Sequence, residues 1–287
     1  MREFGSAAIL VLLLVFFGLI PEGKAMSHDP NSAPTVLITG SNRGIGLEFA
    51  RQYAQAGWRV IATCRTPALA EDLQGIAEAH SRVVIEPLDI ADQDSVAALA
   101  EKYRGESIDV LLNNAALLGD PGPQVYPGID FELFERIVMT NTVGTTRVVV
   151  AFREHVAVSE QKKVVILGSA AGSISQVSAA PNSYLPYRAS KAGLHLIARN
   201  LSLHLANEGI AVGLINPGLV DTRGILDLKP GDPVPEQFKP VMPLIEQGII
   251  KLQTTKEAVT DIRVRIDELS TENPGQFLNF DGREMPW

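Results

Sequence analysis

The chain has 287 residues, 46% of them apolar and 20% charged, which suits a folded α/β body with an ample core and excludes a disordered chain. Its 25 Lys and Arg against 33 Asp and Glu give a net charge of −8, and with no basic run that balance argues against nucleic acid as a partner. One cysteine, Cys64, excludes an intrachain disulfide and is compatible with a reducing compartment, and five scattered histidines without zinc-ligand spacing predict no metal site.

The amino terminus stands apart. Ala7 to Ile20, AAILVLLLVFFGLI, is fourteen residues without a charge. That is short for a membrane span, which needs about 20 residues, and suits a signal-peptide core. Small residues at Gly23 and Ala25 fit cleavage after Ala25. The weakly basic start, Arg2 offset by Glu3, and a second methionine at Met26 fit instead an upstream extension of a protein that starts at Met26. Both readings stand for residues 1–25. Residues 26–287 are expected to form one domain, cytoplasmic unless the first segment directs it to secretion or holds it at a membrane.

From Thr35 the pattern alternates. Thr35–Thr39 (TVLIT) reads as a strand, and Gly44–Ala56 as a helix with Ile45, Phe49 and Tyr53 on one face. Gly57 ends that helix, and Trp58–Thr63 is the next strand. Helix Ala68–Ala79, strand Val83–Leu88, helix Ser95–Tyr103 and strand Val110–Asn113 follow. An apolar-periodic stretch over Phe131–Ala157 leads to strand Lys163–Gly168, a helix over Tyr187–Asn207 and strand Ala211–Ile215. A Pro/Gly-rich loop, Leu219–Pro243, reads as a lid, and two helical stretches precede a last strand at Gln276–Phe280. Strands alternating with helices predict one Rossmann-type, doubly wound parallel sheet with helices on both faces.

The stretch Gly40, Ser41, Asn42, Arg43, Gly44, Ile45, Gly46 then falls on a strand-to-helix turn. Gly40 permits the tight turn, Gly44 and Gly46 allow close backbone approach, and the amides opening the helix favour a phosphate. A cofactor with a free ribose 2′-hydroxyl usually meets a carboxylate at the end of the second strand. Here that end reads Thr63-Cys64-Arg65, with an arginine and no carboxylate. Arg43 and Arg65 together suit a 2′-phosphate, so NADP is expected and NAD is less favoured. A carboxylate placed at Cys64 is expected to swing the preference toward NADH. Downstream, Tyr187 and Lys191 lie four apart and share a helix face. A nearby cation stabilises a phenolate, so Tyr187 is expected to ionise below the usual tyrosine value and to act as a proton donor and acceptor.

Thr39–Gly46, Asn113-Asn114-Ala115-Ala116, Asn141 with Gly144, Ser169, Tyr187 with Lys191, and Pro217-Gly218 stand in the order of the motifs of the short-chain dehydrogenase/reductase family, which the chain resembles over residues 34–287. VIATCRTP and the ending FDGREMPW are similar to the branch holding the sniffer-type carbonyl reductases and C-factor-like proteins. The resemblance implies that Tyr187 protonates the substrate carbonyl oxygen as hydride arrives from the nicotinamide. Lys191 would hold the nicotinamide ribose and lower the tyrosine pKa, Ser169 would bind the substrate oxygen, and Asn141 would hold a relay water. Asp89, with Ile90 beside it, would accept from the adenine amino group. Asn113 and Ala115 would line the adenine-ribose side, and Pro217, Gly218, Val220 and Thr222 would contact the nicotinamide and phosphates. The resemblance also implies a homodimer or homotetramer built on the helices over Asn141–Ala157 and Tyr187–Asn207.

One departure is plain. Ser169 precedes Tyr187 by eighteen residues, more than the family's usual spacing, and Ser173, at fourteen, is a rival by count. The context Gly168-Ser169-Ala170-Ala171-Gly172 favours Ser169, and the extra residues read as a loop insertion. The expected activity is NADP(H)-dependent hydride transfer between nicotinamide and a small-molecule carbonyl or secondary alcohol. A dinucleotide-binding sensor without essential turnover is the alternative, and a complete Asn-Ser-Tyr-Lys set argues against it.

Overall fold

The computed structural model describes residues 33–120, 122–177, 184–229, 231–235, 238–239 and 241–287. The apolar stretch Ala7–Ile20 and Met26 lie outside them. Among the described residues no helix is long and apolar enough to cross a membrane.

Among the described residues seven strands form one parallel sheet: Thr35–Thr39 (β1), Arg59–Cys64 (β2), Val83–Pro87 (β3), Val110–Asn113 (β4), Lys163–Leu167 (β5), Ala211–Asn216 (β6) and Phe277–Asn279, the last of the nine strands described and so β9. Their order across the sheet is β3-β2-β1-β4-β5-β6-β9. The chain starts in the middle and winds outward both ways, so the loops after β1 and β4 meet where the winding reverses. In open sheets of this kind that crevice, at the carboxyl ends of the strands, receives the ligand.

The strands other than the edge strand β3 are buried on both faces, and the alternation of their residues divides the core in two. Val36, Ile38, Val60, Ala62, Val110, Leu112 and Val165 face Phe49 and Tyr53 of helix Gly44–Gln55 (α1), Leu73 and Ile76 of Glu71–Ala79 (α2), and Val259, Ile262 and Ile266 of Thr255–Glu268 (α8). Leu37, Ile61, Leu111, Val164, Ile166 and Leu214 face Val96 and Leu99 of Gln93–Lys102 (α3), Val148 and Phe152 of Thr145–Ala157 (α5), and Leu194 and Ala198 of Leu185–Ala206 (α6). Each such side chain contributes roughly 1.5–3 kcal/mol on full burial. Phe131–Val138 is α4 and the short helix Met242–Glu246 is α7. Asp92 and Asp130 cap α3 and α4 through the amides of Asp94 and Leu133, each at 3.0 Å. Thr254 and Glu257 form a reciprocal capping box on α8.

Four local departures from the sequence reading have physical reasons. The helix expected to open at Tyr187 opens at Leu185, because Pro186 is tolerated in a first turn, where its missing N–H has no partner in any case. The stretch Phe131–Ala157 is two helices joined by a π turn over Met139–Gly144. The segment expected as a helix over Ala68–Ala79 begins with a 3-10 turn, Pro67–Leu69, before α2. Within the region read as a loop, Leu219–Asp221 (β7) pairs in parallel with Leu252–Thr254 (β8).

Candidate active site

The glycine turn sits between β1 and α1. Gly40 and Gly44 take φ of +70° and +56°, a conformation that disfavours a side chain. Gly46 makes the expected close backbone approach to the end of the strand. A Cβ there would lie 2.1 Å from the Gly40 carbonyl oxygen and 2.5 Å from Asn114 Nδ2. Its bareness therefore lets the first turn of α1 close onto the loop itself. Asn114 completes the closure by donating to the carbonyls of Thr39 and Gly40, both at 2.9 Å. The amides of Asn114 and Ala115 in turn both donate to Thr39 Oγ1 at 3.0 Å.

The other residues of the expected cofactor face lie along the same edge of the sheet. The Ser41 amide donates to Thr63 O at 2.8 Å, which joins the glycine turn to the end of β2. Arg43 and Arg65 are exposed, as is Asn42, and neither arginine forms an ion pair with another described residue. Asp89 keeps one carboxylate oxygen on the Ala91 amide at 2.9 Å. Ile90 is buried, and its carbonyl accepts from Arg147 at 3.0 Å, so its side chain belongs to the core. Asn113 donates to Val165 O at 3.2 Å, while its buried Oδ1 has no partner. Thr222 lies 3.1 Å from the place of a Cβ on Gly44, so the strand after Pro217 and Gly218 returns to the glycine turn. Val220 is buried.

The chemical groups gather at the start of α6. Ser169 leaves β5 in extended geometry and accepts at Oγ from the Ala171 amide at 3.2 Å, which turns its hydroxyl hydrogen outward. The Ser169 side chain lies close enough to the Tyr187 phenol to favour its ionised form, so the structure brings these two side chains together. Ser173, the rival, is fully buried against Ser175 at 3.2 Å. Lys191 Nζ donates to Leu167 O at 2.9 Å and lies 5.9 Å from the Tyr187 ring centroid. Asn141 sits in the π turn, fully buried; it donates to Leu117 O at 2.8 Å and Ser190 Oγ at 3.0 Å and accepts from the Leu117 amide at 2.7 Å. Its side chain thus ties the turn to α6 one residue before Lys191.

The expectation for the Tyr187 pKa is overturned. Burial pushes this phenol up, and the nearby Ser169 side chain opposes that shift without reversing it. The ammonium of Lys191, engaged with a carbonyl, does not offset the loss of solvent. Burial pushes Lys191 itself down to about 8.

Two residues at this site were not singled out from the sequence. Gln124 accepts at Oε1 from the Tyr187 amide at 3.2 Å and donates to the carbonyls of Leu118 and Asp120 at 2.7 and 2.9 Å. His195 accepts at Nε2 from the Ser169 amide at 3.2 Å. Gln124 had no signal in the sequence; His195 had one, its place four residues after Lys191 on the same face of the helix.

Fold and site define a dinucleotide-binding oxidoreductase, and comparison with known proteins agrees. The short chain dehydrogenase sequence family matches residues 34–230, and the chain belongs to that family. An uncharacterised oxidoreductase of Schizosaccharomyces pombe is 30% identical over 254 residues, 88% of this chain and 97% of the relative. The 1-hydroxy-2-glutathionyl-2-methyl-3-butene dehydrogenase of Rhodococcus is 29% identical over 258 residues, 88% of this chain and 99% of that protein. Among solved structures, the NADPH-bound carbonyl reductase from chicken fatty liver superposes with a TM-score of 0.72 at 28% identity, covering 89% of this chain and all of the other. The carbonyl reductase Sniffer of D. melanogaster shares the fold, with a TM-score of 0.73 at 21% identity over 89% of this chain.

Proposed function

We propose that this oxidoreductase is an NADP(H)-dependent carbonyl reductase, running as an alcohol dehydrogenase in reverse. The observation that carries the reading is the juxtaposition of Ser169 with Tyr187, and of Tyr187 with Lys191 four residues on, beside a glycine turn at the carboxyl edge of the sheet.

The residues present fit the cofactor. Gly40 and Gly44 bare the backbone of the turn, Arg43 and Arg65 offer two exposed guanidiniums, and no carboxylate stands at the end of β2 to favour a 2′-hydroxyl. The buried, unpartnered Oδ1 of Asn113 is an acceptor in want of a donor on the same edge. The NADPH carried by the chicken liver reductase supports the same assignment. When bound, the cofactor supplies hydride to the carbonyl carbon. The chain supplies the rest. Ser169 donates to the carbonyl oxygen and fixes its position, and Tyr187 gives its hydroxyl proton to that oxygen as negative charge develops there. Lys191, on the same helix face, would hold the ribose. Asn141 ties the π turn to α6 through Ser190, beside Lys191. A panel of aldehydes and ketones with NADPH consumption as the readout tests the proposal. Turnover of at least one carbonyl is expected, and a silent panel with NADPH bound tightly would favour a sensor.

We also propose a homodimer or homotetramer. Val150 on α5 is 64% exposed, and Leu196 and Leu203 on α6 are 71% and 52% exposed, an apolar face without a partner among the described residues. Light scattering at micromolar concentration should give a mass of two or four chains; a monomer mass would contradict this.

A further inference from the structure

We infer that His195 is a positioning residue: by accepting the Ser169 amide at Nε2, it fixes where the serine hydroxyl meets the substrate oxygen. The inference rests on the reading of Ser169 as the group that binds that oxygen.

The serine turn is held from outside at two successive amides. Ser169 N–H donates to His195 Nε2 at 3.2 Å, and Ala170 N–H donates to Asn216 Oδ1 at 3.1 Å. The turn also wraps the imidazole. A Cβ on Gly168 would lie 3.0 Å from His195 Nε2, and one on Gly172 would lie 2.6 Å from His195 Cε1 and 2.8 Å from the Lys191 carbonyl carbon. The two glycines that bracket Ser169 therefore give the ring its room. Behind the ring stand Phe277 and Trp287, with centroids 4.5 and 6.3 Å away. Trp287 is itself held, by Arg199 stacked at 4.9 Å and by the Ser175 amide donating to its carbonyl at 2.9 Å. One face of α6 thus carries Lys191 on the Leu167 carbonyl, His195 on the Ser169 amide and Arg199 on Trp287, at steps of four residues.

A histidine kept only to fill the core would be better replaced by an apolar side chain. This ring is 2% exposed, and its Nδ1 is buried without a partner. Leaving a buried donor unsatisfied is costly. Burial, together with the neighbouring Lys191 charge, pushes the imidazole down to about 3, so the ring is neutral at working pH. An imidazole that accepts at Nε2 carries its hydrogen at Nδ1, the nitrogen with no partner. The cost at one nitrogen is matched by use of the other.

The test compares His195→Leu, His195→Gln and His195→Asn with the parent and with Ser169→Ala. The readouts are kcat and KM for a carbonyl substrate and the Kd of NADPH by fluorescence. Glutamine brings an amide oxygen to the place of Nε2, whereas asparagine reaches only the place of Nδ1. We expect kcat to fall about tenfold in His195→Leu and His195→Asn, the scale of one lost hydrogen bond, with NADPH affinity within about threefold and activity restored in His195→Gln. Parental kcat in His195→Leu, or equal loss in the Gln and Asn variants, would overturn the inference while leaving Ser169 its role. If His195→Leu does not fold, the Gln and Asn pair decides alone. Parental turnover in Ser169→Ala would overturn the reading of Ser169 and this inference with it.

Discussion

Tyr187→Phe is expected to lower kcat for carbonyl reduction by about a hundredfold or more, the scale of a lost general acid, with the Kd of NADPH within about threefold of the parent. The ring beneath Lys191 stays, and only the hydroxyl beside Ser169 goes. The measurement is steady-state kinetics beside fluorescence titration of the cofactor, and substantial reductase activity in the variant would remove Tyr187 from its role. A pH dependence follows from the direction of the phenol shift. Burial holds the hydroxyl protonated at neutral pH, which is the form that donates a proton to a carbonyl oxygen. Alcohol oxidation needs the phenolate, which becomes more abundant as pH rises. Oxidation should therefore climb from neutral to alkaline pH while reduction gains nothing. An oxidation rate that falls over that range would contradict the assignment.

Arg65→Ala is expected to weaken NADPH binding by about tenfold to a hundredfold, from roughly 1.5–3 kcal/mol per charge-assisted contact at 1.4 kcal/mol per tenfold. NADH has no phosphate at that place, so its affinity should barely change. The expected result is a change in ratio, read as kcat/KM for both cofactors. A parent that already prefers NADH, or a variant that loses both cofactors equally, would contradict it. The structure also corrects where a selecting carboxylate belongs. Cys64, the position expected from the sequence, is packed in the core with Val36, Ile38 and Leu73, and burial pushes its thiol up. A carboxylate there would be desolvated and unpaired. Arg65, exposed and one residue on, is the place for it, and Arg65→Asp should turn the preference toward NADH.

The alternation of strands and helices was legible because its signals are local. The boundaries of β1 and β4 agree with the sequence reading residue for residue, and Gly57, at φ +80°, ends α1 as its type suggests. The π turn was not legible, since apolar spacing over Phe131–Ala157 stays helical on both sides of one added residue. Nor were β7 and β8, three residues each, too short to show alternation. At the site, Tyr187 and Lys191 could be paired by their spacing. Burial of the phenol could not be read that way, and burial decided the direction of its pKa. Gln124 stands 63 residues from the Tyr187 amide that it accepts, and His195 stands 26 from that of Ser169, separations that only the folded sheet closes.

The π turn over Met139–Gly144 also sets the phase between two helices. Each residue of an α-helix advances the side chains by about 100°. The wide turn already absorbs one residue more than an α-helix of the same angular span would hold, so a further residue inserted ahead of Asn141 would rotate everything beyond it by one such step. Val148, Phe152 and Val156 would swing off the sheet, and the exposed Val150 would be turned away from the face it shares with α6. The same step would carry Asn141 off Leu117 and Ser190. Between α4 and α5 the fold can accept a change of side chain far more readily than a change of count, because residue number there works as an angle.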